Sequence, residues 1–173
     1  MGENLYKKWK IRDVLLSIVI ICSFITDVAT AQETVIFDKF IGEWSGKGEL
    51  FGNEAEFKME WEWVLDRKFV HLIFQNKMHS SNGADRILKA QAFYQITDTD
   101  EIQGTWFDSR GIVLPLNASI EGFTLTTLWG SSETEQGKTV YLLKDDDNIE
   151  VEDLVFKDGN WEKFGHAIYH RIK

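Results

Sequence analysis

The sequence predicts an all-β protein: a single antiparallel up-and-down β-barrel of about ten strands, preceded by a short N-terminal helix. Three observations carry this expectation. Apolar and polar side chains alternate with period two along successive stretches, the signature of strands with one buried face. Glycine, asparagine, aspartate and serine cluster between those stretches, where tight reversals need them. The connections are too short for parallel crossovers, so neighbouring strands must run antiparallel.

In chain order, the first segment stands outside the fold. Lys7, Lys8, Lys10 and Arg12 form a basic start, Val14 to Ile25 an apolar run, and Ala29-Thr30-Ala31 a small-x-small cleavage site. Residues 1–31 thus read as a signal peptide, with Gln32 as the mature N-terminus and residues 32–173 as the barrel domain. The apolar run falls short of the ~20 residues a membrane-spanning helix needs. Its Cys22 is the only cysteine in the chain and follows Ile20-Ile21, not the small residues that precede a lipidated cysteine. The expected location is periplasmic or extracellular, with no stable membrane span after cleavage. A mature chain without cysteine has neither a disulfide, thiol catalysis nor a cysteine-based zinc site.

Residues 32–41 are the one stretch able to hold a short helix, with Phe37, Phe40 and Ile41 at helical spacing, placed to plug one end of a barrel. Strand-like segments follow at Gly42–Phe51, Glu54–Leu65, Lys68–Met78, Arg86–Ile96, Glu101–Asp108, Ile112–Ile120, Gly122–Gly130, Lys138–Lys144, Ile149–Phe156 and Asn160–Ile172. The second is the clearest: Ala55, Phe57, Met59, Trp61 and Trp63 share one face, and Glu54, Glu56, Lys58, Glu60 and Glu62 the other. Pro115, the only proline, suggests an irregular or bulged strand at Ile112–Ile120. Even strand spacing and glycines at strand starts favour closure into a barrel over a sandwich.

Composition narrows the function classes. The 173-residue chain has 19 basic and 28 acidic side chains, a formal net charge of −9. Nucleic acid and anionic membrane surfaces are disfavoured as partners by that field. Asp145-Asp146-Asp147-Asn148 lacks the glycine and distal glutamate of a calcium loop and reads as a hairpin tip. Asn117-Ala118-Ser119 is a glycosylation sequon. No glycine-rich phosphate loop opens a helix.

Gly42-Glu43-Trp44-Ser45-Gly46-Lys47-Gly48, at the head of an antiparallel meander, resembles the opening of the calycin superfamily, which includes lipocalins and fatty-acid-binding proteins. It is similar in particular to nitrobindin-like proteins and the related DUF1579 group. Val64-Leu65-Asp66-Arg67-Lys68-Phe69 and Gly104-Thr105-Trp106-Phe107-Asp108-Ser109 are similar to segments of that group. The resemblance implies a barrel with an internal cavity. Its nitrobindin branch also implies haem held by a last-strand histidine; His166 is the positional match, in phase with Phe164 and Ile168, and His170 shares that phase.

The residues themselves suggest an exported barrel binding a small, largely apolar molecule in its lumen. Tyrosine and tryptophan side chains at inward phases give an apolar wall with a few polar tips, which suits such a ligand. The expected lining is Trp61, Trp63, His71, Tyr94, Trp106, Trp129, Tyr141 and Asp153, with Tyr169 in a compatible phase. No cofactor is required on this reading. An inward Asp153 needs a partner, for which Arg110, Lys163 and Arg171 are candidates. If Asp153 and His71 both face the lumen, they could act as acid and base on a sequestered substrate. Asp108-Ser109-Arg110-Gly111 reads as a turn or as a charged rim beside Trp106. A lumen filled by its own side chains is the remaining alternative.

Overall fold

The computed structural model describes residues 36–80, 83–97 and 102–172; the signal-peptide reading, residues 1–31, lies outside the described residues. Ten strands follow a short helical segment at residues 36–40. They are β1 (Gly42–Leu50), β2 (Asn53–Val64), β3 (Phe69–Met78), β4 (Arg86–Gln95) and β5 (Ile102–Asp108). Then come β6 (Val113–Glu121), β7 (Thr124–Trp129), β8 (Gly137–Asp145), β9 (Asn148–Lys157) and β10 (Asn160–Arg171). Each pairs antiparallel with its sequence neighbours, and β1 pairs with β10 to close the barrel. Closure removes both sheet edges.

The alternation read from the sequence decides which face is inside. On β2, Ala55, Phe57, Met59 and Trp61 are buried, while Glu54, Glu56 and Lys58 are exposed. Antiparallel register carries this phase to the partner, so Trp61 faces Leu72, and Met59 faces Phe74. On β1 the inward positions are Trp44, Gly46, Gly48 and Leu50. Two of these are glycines because neighbours come too close for a side chain. A Cβ at Gly46 would lie 2.9 Å from the Tyr169 ring, and one at Gly48 1.9 Å from the His166 carbonyl oxygen.

The two halves of the lumen differ. At one end Phe37 and Phe40 of the helical segment insert fully and meet Trp61 at ring-centroid distances of 6.3 and 5.4 Å. Trp61 also packs on Tyr94 and Tyr141, at 5.7 and 5.5 Å. This half is solid aromatic core. Helix C-terminal carbonyls need partners when buried, and the barrel supplies them. Arg171 donates to the carbonyls of Lys39 and Ile41, both at 2.7 Å, and the Trp44 indole donates to that of Phe40 at 2.7 Å. The Arg171 guanidinium also lies 4.0 Å from the centre of the Trp44 ring.

Between β2 and β3, Leu65, Asp66 and Arg67 all adopt left-handed backbone, with φ of 51°, 55° and 60°. Such a residue without glycine's freedom costs roughly 1–2 kcal/mol. Arg67 stacks over Trp63 at 4.3 Å and pairs with Asp38 at 2.7 Å, fastening the turn to the helical segment.

The expectation of a bulge at Pro115 is corrected. The register of β6 to β5 and β7 is unbroken. Pairing with β7 begins only at Leu116, and beyond it the Pro115 carbonyl still accepts from Gly130 N at 3.0 Å. The missing N–H therefore falls where the ladder ends and leaves no interior carbonyl without a donor. The register shifts lie elsewhere, at Leu143/Asp145 in β8 and at Lys163/Gly165 in β10.

Candidate functional site

The other half of the barrel encloses a cavity of about 230 Å³. Its floor is the far side of the aromatic core, where Tyr94, Tyr141 and Tyr169 end the packed region. Trp106 from β5, Trp129 from β7, Phe74 from β3 and Phe164 from β10 form aromatic walls; Leu116 and Val151 add aliphatic ones. Arg110, Glu135 and Phe51 stand among the lining residues, with Phe51 stacked on Phe164 at 4.8 Å.

Asp153 is a buried charged group on the wall of this cavity. It occupies an inward position of β9, between Val151 and Val155, and its accessible surface faces the cavity. The Thr139 hydroxyl, opposite it on β8, donates to Oδ1 at 2.7 Å. No second donor reaches the carboxylate among the described residues. Burial pushes its pKa up from 3.8 to about 6, with the Thr139 hydrogen bond acting in the other direction. The three tyrosine hydroxyls nearby are also raised. Burial takes Tyr94 to about 12 against the lowering effect of Thr127, whose hydroxyl lies 3.3 Å away. Burial, and then the Asp153 charge, raises Tyr169; burial and the neighbours Tyr94, Asp153 and Tyr169 raise Tyr141. The hydroxyls of Tyr141 and Tyr169 have no hydrogen-bond partner among the described residues. The floor of the site therefore offers one carboxylate and two phenol groups with capacity to spare, in an aromatic enclosure.

Of the expected lining residues, Tyr94, Trp106, Trp129, Tyr141 and Asp153 do border the cavity. Trp61 and Trp63 do not. Trp61 lies in the packed half, and Trp63 sits against Phe37 with its indole donating to Asp38 at 2.7 Å. The helical segment fills the space they would have lined. His71 is a correction of a different kind: its side chain is on the outer face of the wall. There Nδ1 meets Glu62 at 2.9 Å, Nε2 meets Gln91 at 3.0 Å, and the ring stacks on Phe93 at 4.3 Å. Its low exposure comes from these outward neighbours. His71 and Asp153 thus lie on opposite faces of the barrel wall and form no acid–base pair.

His166 also points outward, with Nε2 3.0 Å from Glu150. It stands opposite Glu49 of β1 and Glu152 of β9, on the outer face with Ile168. The bulge in β10 turns Phe164 the other way, into the lumen, and takes it out of the phase it shares in sequence with His166 and Ile168. None of the four histidines borders the cavity, so its lining does not fit a histidine-ligated haem. The candidate partners of Asp153 are engaged elsewhere. Lys163 pairs with Glu152, Arg171 serves the helical segment, and Arg110 bonds Asp108. Asp108 binds Arg110 through its backbone N and Nη2, at 2.8 and 2.6 Å, and the Trp106 indole at 3.3 Å. Burial alone would raise the Asp108 carboxyl, but Arg110 and those hydrogen bonds hold it below its ordinary value. Turn and rim are therefore the same feature.

Sequence reading missed Thr139, Thr127 and Phe164. Gly137 was a usable signal for the site's shape: a Cβ there would lie 1.9 Å from the Trp129 ring, so the glycine seats that indole.

No protein-family model matches the chain, and no curated protein does. Among solved structures it is similar to Rv2717c from M. tuberculosis, with a TM-score of 0.55 and 12% identity over 78% of this chain and 94% of that one. A protein of unknown function of the DUF3598 family from Nostoc punctiforme matches at 8% identity, over 79% of this chain and 98% of that one, with a TM-score of 0.29. The Rv2717c likeness is one of fold.

Proposed function

We propose that this protein is an exported barrel that binds one small, largely apolar molecule in the open half of its lumen. The observation that carries the reading is the contrast between the halves: one is packed solid, the other retains about 230 Å³ bounded by aromatic walls and unsatisfied polar groups. A barrel selected only for stability would gain by filling that space, since a void forfeits contacts. An engineered apolar cavity of about 150 Å³ admits benzene, so this one suits a ring with a short side chain. The body of the ligand lies among Trp106, Trp129 and Phe74, and its polar group meets Asp153, Tyr141 and Tyr169. Export rests on the pattern of residues 1–31, and the likeness to nitrobindin-like and DUF1579 sequences adds the expectation of an internal cavity.

Trp106 and Trp129 line the space, so their emission reports occupancy. Titration with propylbenzene or phenethylamine is expected to give a saturable change in tryptophan emission. Val151→Phe, which puts a ring into the cavity, is expected to weaken binding at least about tenfold, at a stability cost of about 1–3 kcal/mol for overpacking. Failure of propylbenzene, phenethylamine and 3-phenylpropionate alike to bind the parent protein would sink the reading.

A further inference from the structure

We propose that the ligand is a small organic cation, a protonated primary amine carried on an apolar ring, with its ammonium seated against Asp153, Tyr141 and Tyr169. This rests on the reading that the cavity is a binding site, and it names the chemistry of the occupant.

The polar groups on the floor have a definite demand. Thr139 occupies one oxygen of Asp153, and the other has no donor among the described residues. Among the described residues Arg110 is the one Lys, Arg or His side chain bordering the cavity, and Asp108 already holds it through two guanidinium hydrogen bonds. Protein cations thus leave Asp153 without a counter-charge, in a place where an unpaired carboxylate is costly. A ligand ammonium supplies that charge. It also brings three N–H donors, matched here by the free carboxylate oxygen and the two tyrosine hydroxyl oxygens, each able to accept. The aromatic enclosure adds the attraction of ring faces for a cation.

Other ligand classes fit less well. A carboxylate would meet Asp153 as a like charge, and a neutral hydrocarbon would leave it unpaired. At the entrance Arg110 is offset by Asp108 and Glu135, and the chain's net charge of −9 draws cations toward it.

Three probes with the same ring and closely related short tails test the assignment: phenethylamine, propylbenzene and 3-phenylpropionate. Their affinities for the purified protein are measured by calorimetry and tryptophan emission at roughly pH 7.5, where the amine is protonated. Phenethylamine is expected to bind at least about tenfold more tightly than propylbenzene, and 3-phenylpropionate weakest of all. Asp153→Asn should erase the amine's advantage while propylbenzene still binds.

A pH series on the parent protein provides a check that needs no variant. Lowering the pH from about 7.5 to about 5 should weaken phenethylamine about tenfold, as Asp153 takes up a proton, and leave propylbenzene unchanged. Of the other charged or titratable groups bordering the cavity, Tyr94, Tyr141, Tyr169 and Arg110 keep their protons over that range. Glu135 is controlled by Glu135→Gln, which should retain the preference for the amine. Propylbenzene or 3-phenylpropionate binding as tightly as phenethylamine would overturn the cation and leave the cavity reading standing. Binding of none of the three would overturn both.

Discussion

Asp153 is where the fold carries an uncompensated cost. In the unfolded chain its carboxyl ionises near 3.8; in the barrel it does so at about 6. Between those values the folded state holds a proton that the unfolded state has lost, so stability falls as pH rises through the window. Above it the folded protein bears the full cost of a buried charge. A shift of this size corresponds to about 3 kcal/mol at neutral pH. Asp153→Asn is therefore expected to stabilise the protein by up to about 3 kcal/mol near pH 7 in chemical denaturation, and by far less near pH 4. Equal stability of the two proteins at both pH values would contradict the assignment. The inward phase of Asp153 was legible in the sequence, because Ile149, Val151 and Val155 share it. Its partner was not. Thr139 lies across a strand pair, and the charged candidates Arg110, Lys163 and Arg171 each have a nearer engagement. His71 shows the converse: apolar neighbours in phase do not prove an inward side chain, because Glu62, Gln91 and Phe93 can bury a histidine on the outer face.

Among the elements, β1 and β10 set the barrel's closure through contacts that leave no space for a Cβ. A Cβ at Gly48 would lie 1.9 Å from the His166 carbonyl oxygen and 2.7 Å from the Ala167 Cα. A Cβ at Gly46 would meet the Tyr169 ring at 2.9 Å and the Ile168 carbonyl oxygen at 3.1 Å, a milder overlap. Gly48→Ala is therefore expected to cost more than Gly46→Ala, in the range of about 1–3 kcal/mol or above for a contact that backbone must relieve. The two midpoints in urea give the comparison, and a reversed order would contradict the packing described. Strand identity was readable throughout, since period two is a local property and turn residues mark its ends. The bulge in β10 was not, although it decides the direction of a cavity-lining side chain. One extra residue between Lys163 and Gly165 puts Phe164 on the cavity wall, while His166 stays outside in phase with Ile168. Nothing in the local alternation reports it, because a bulge is defined by what the partner strand does.

For the whole molecule, the division into a packed half and a hollow half follows from one insertion. Residues 36–40 deliver Phe37 and Phe40 into the lumen, and Arg171 and Trp44 hold the segment by its carbonyls. The Gly42-Glu43-Trp44 opening is thus a device of architecture, joining the first strand to the plug and, through Arg171, to the last. Export belongs to this scale as well. The chain produced with residues 1–31 in place is expected to yield a mature protein beginning at Gln32, read by intact mass and N-terminal sequencing; retention of residues 1–31 would refute the signal reading. By itself the sequence determined an antiparallel barrel, its strands to within two residues, and a plug before the first strand. Those properties arise from alternation and turn chemistry between near neighbours in the chain. Tertiary structure alone decided which half stays hollow and which groups meet on its floor. Thr139, Tyr141, Asp153 and Tyr169 come from three strands, and only the register between strands determines which hydroxyls face the carboxylate and which hydrogen bonds are left for a ligand.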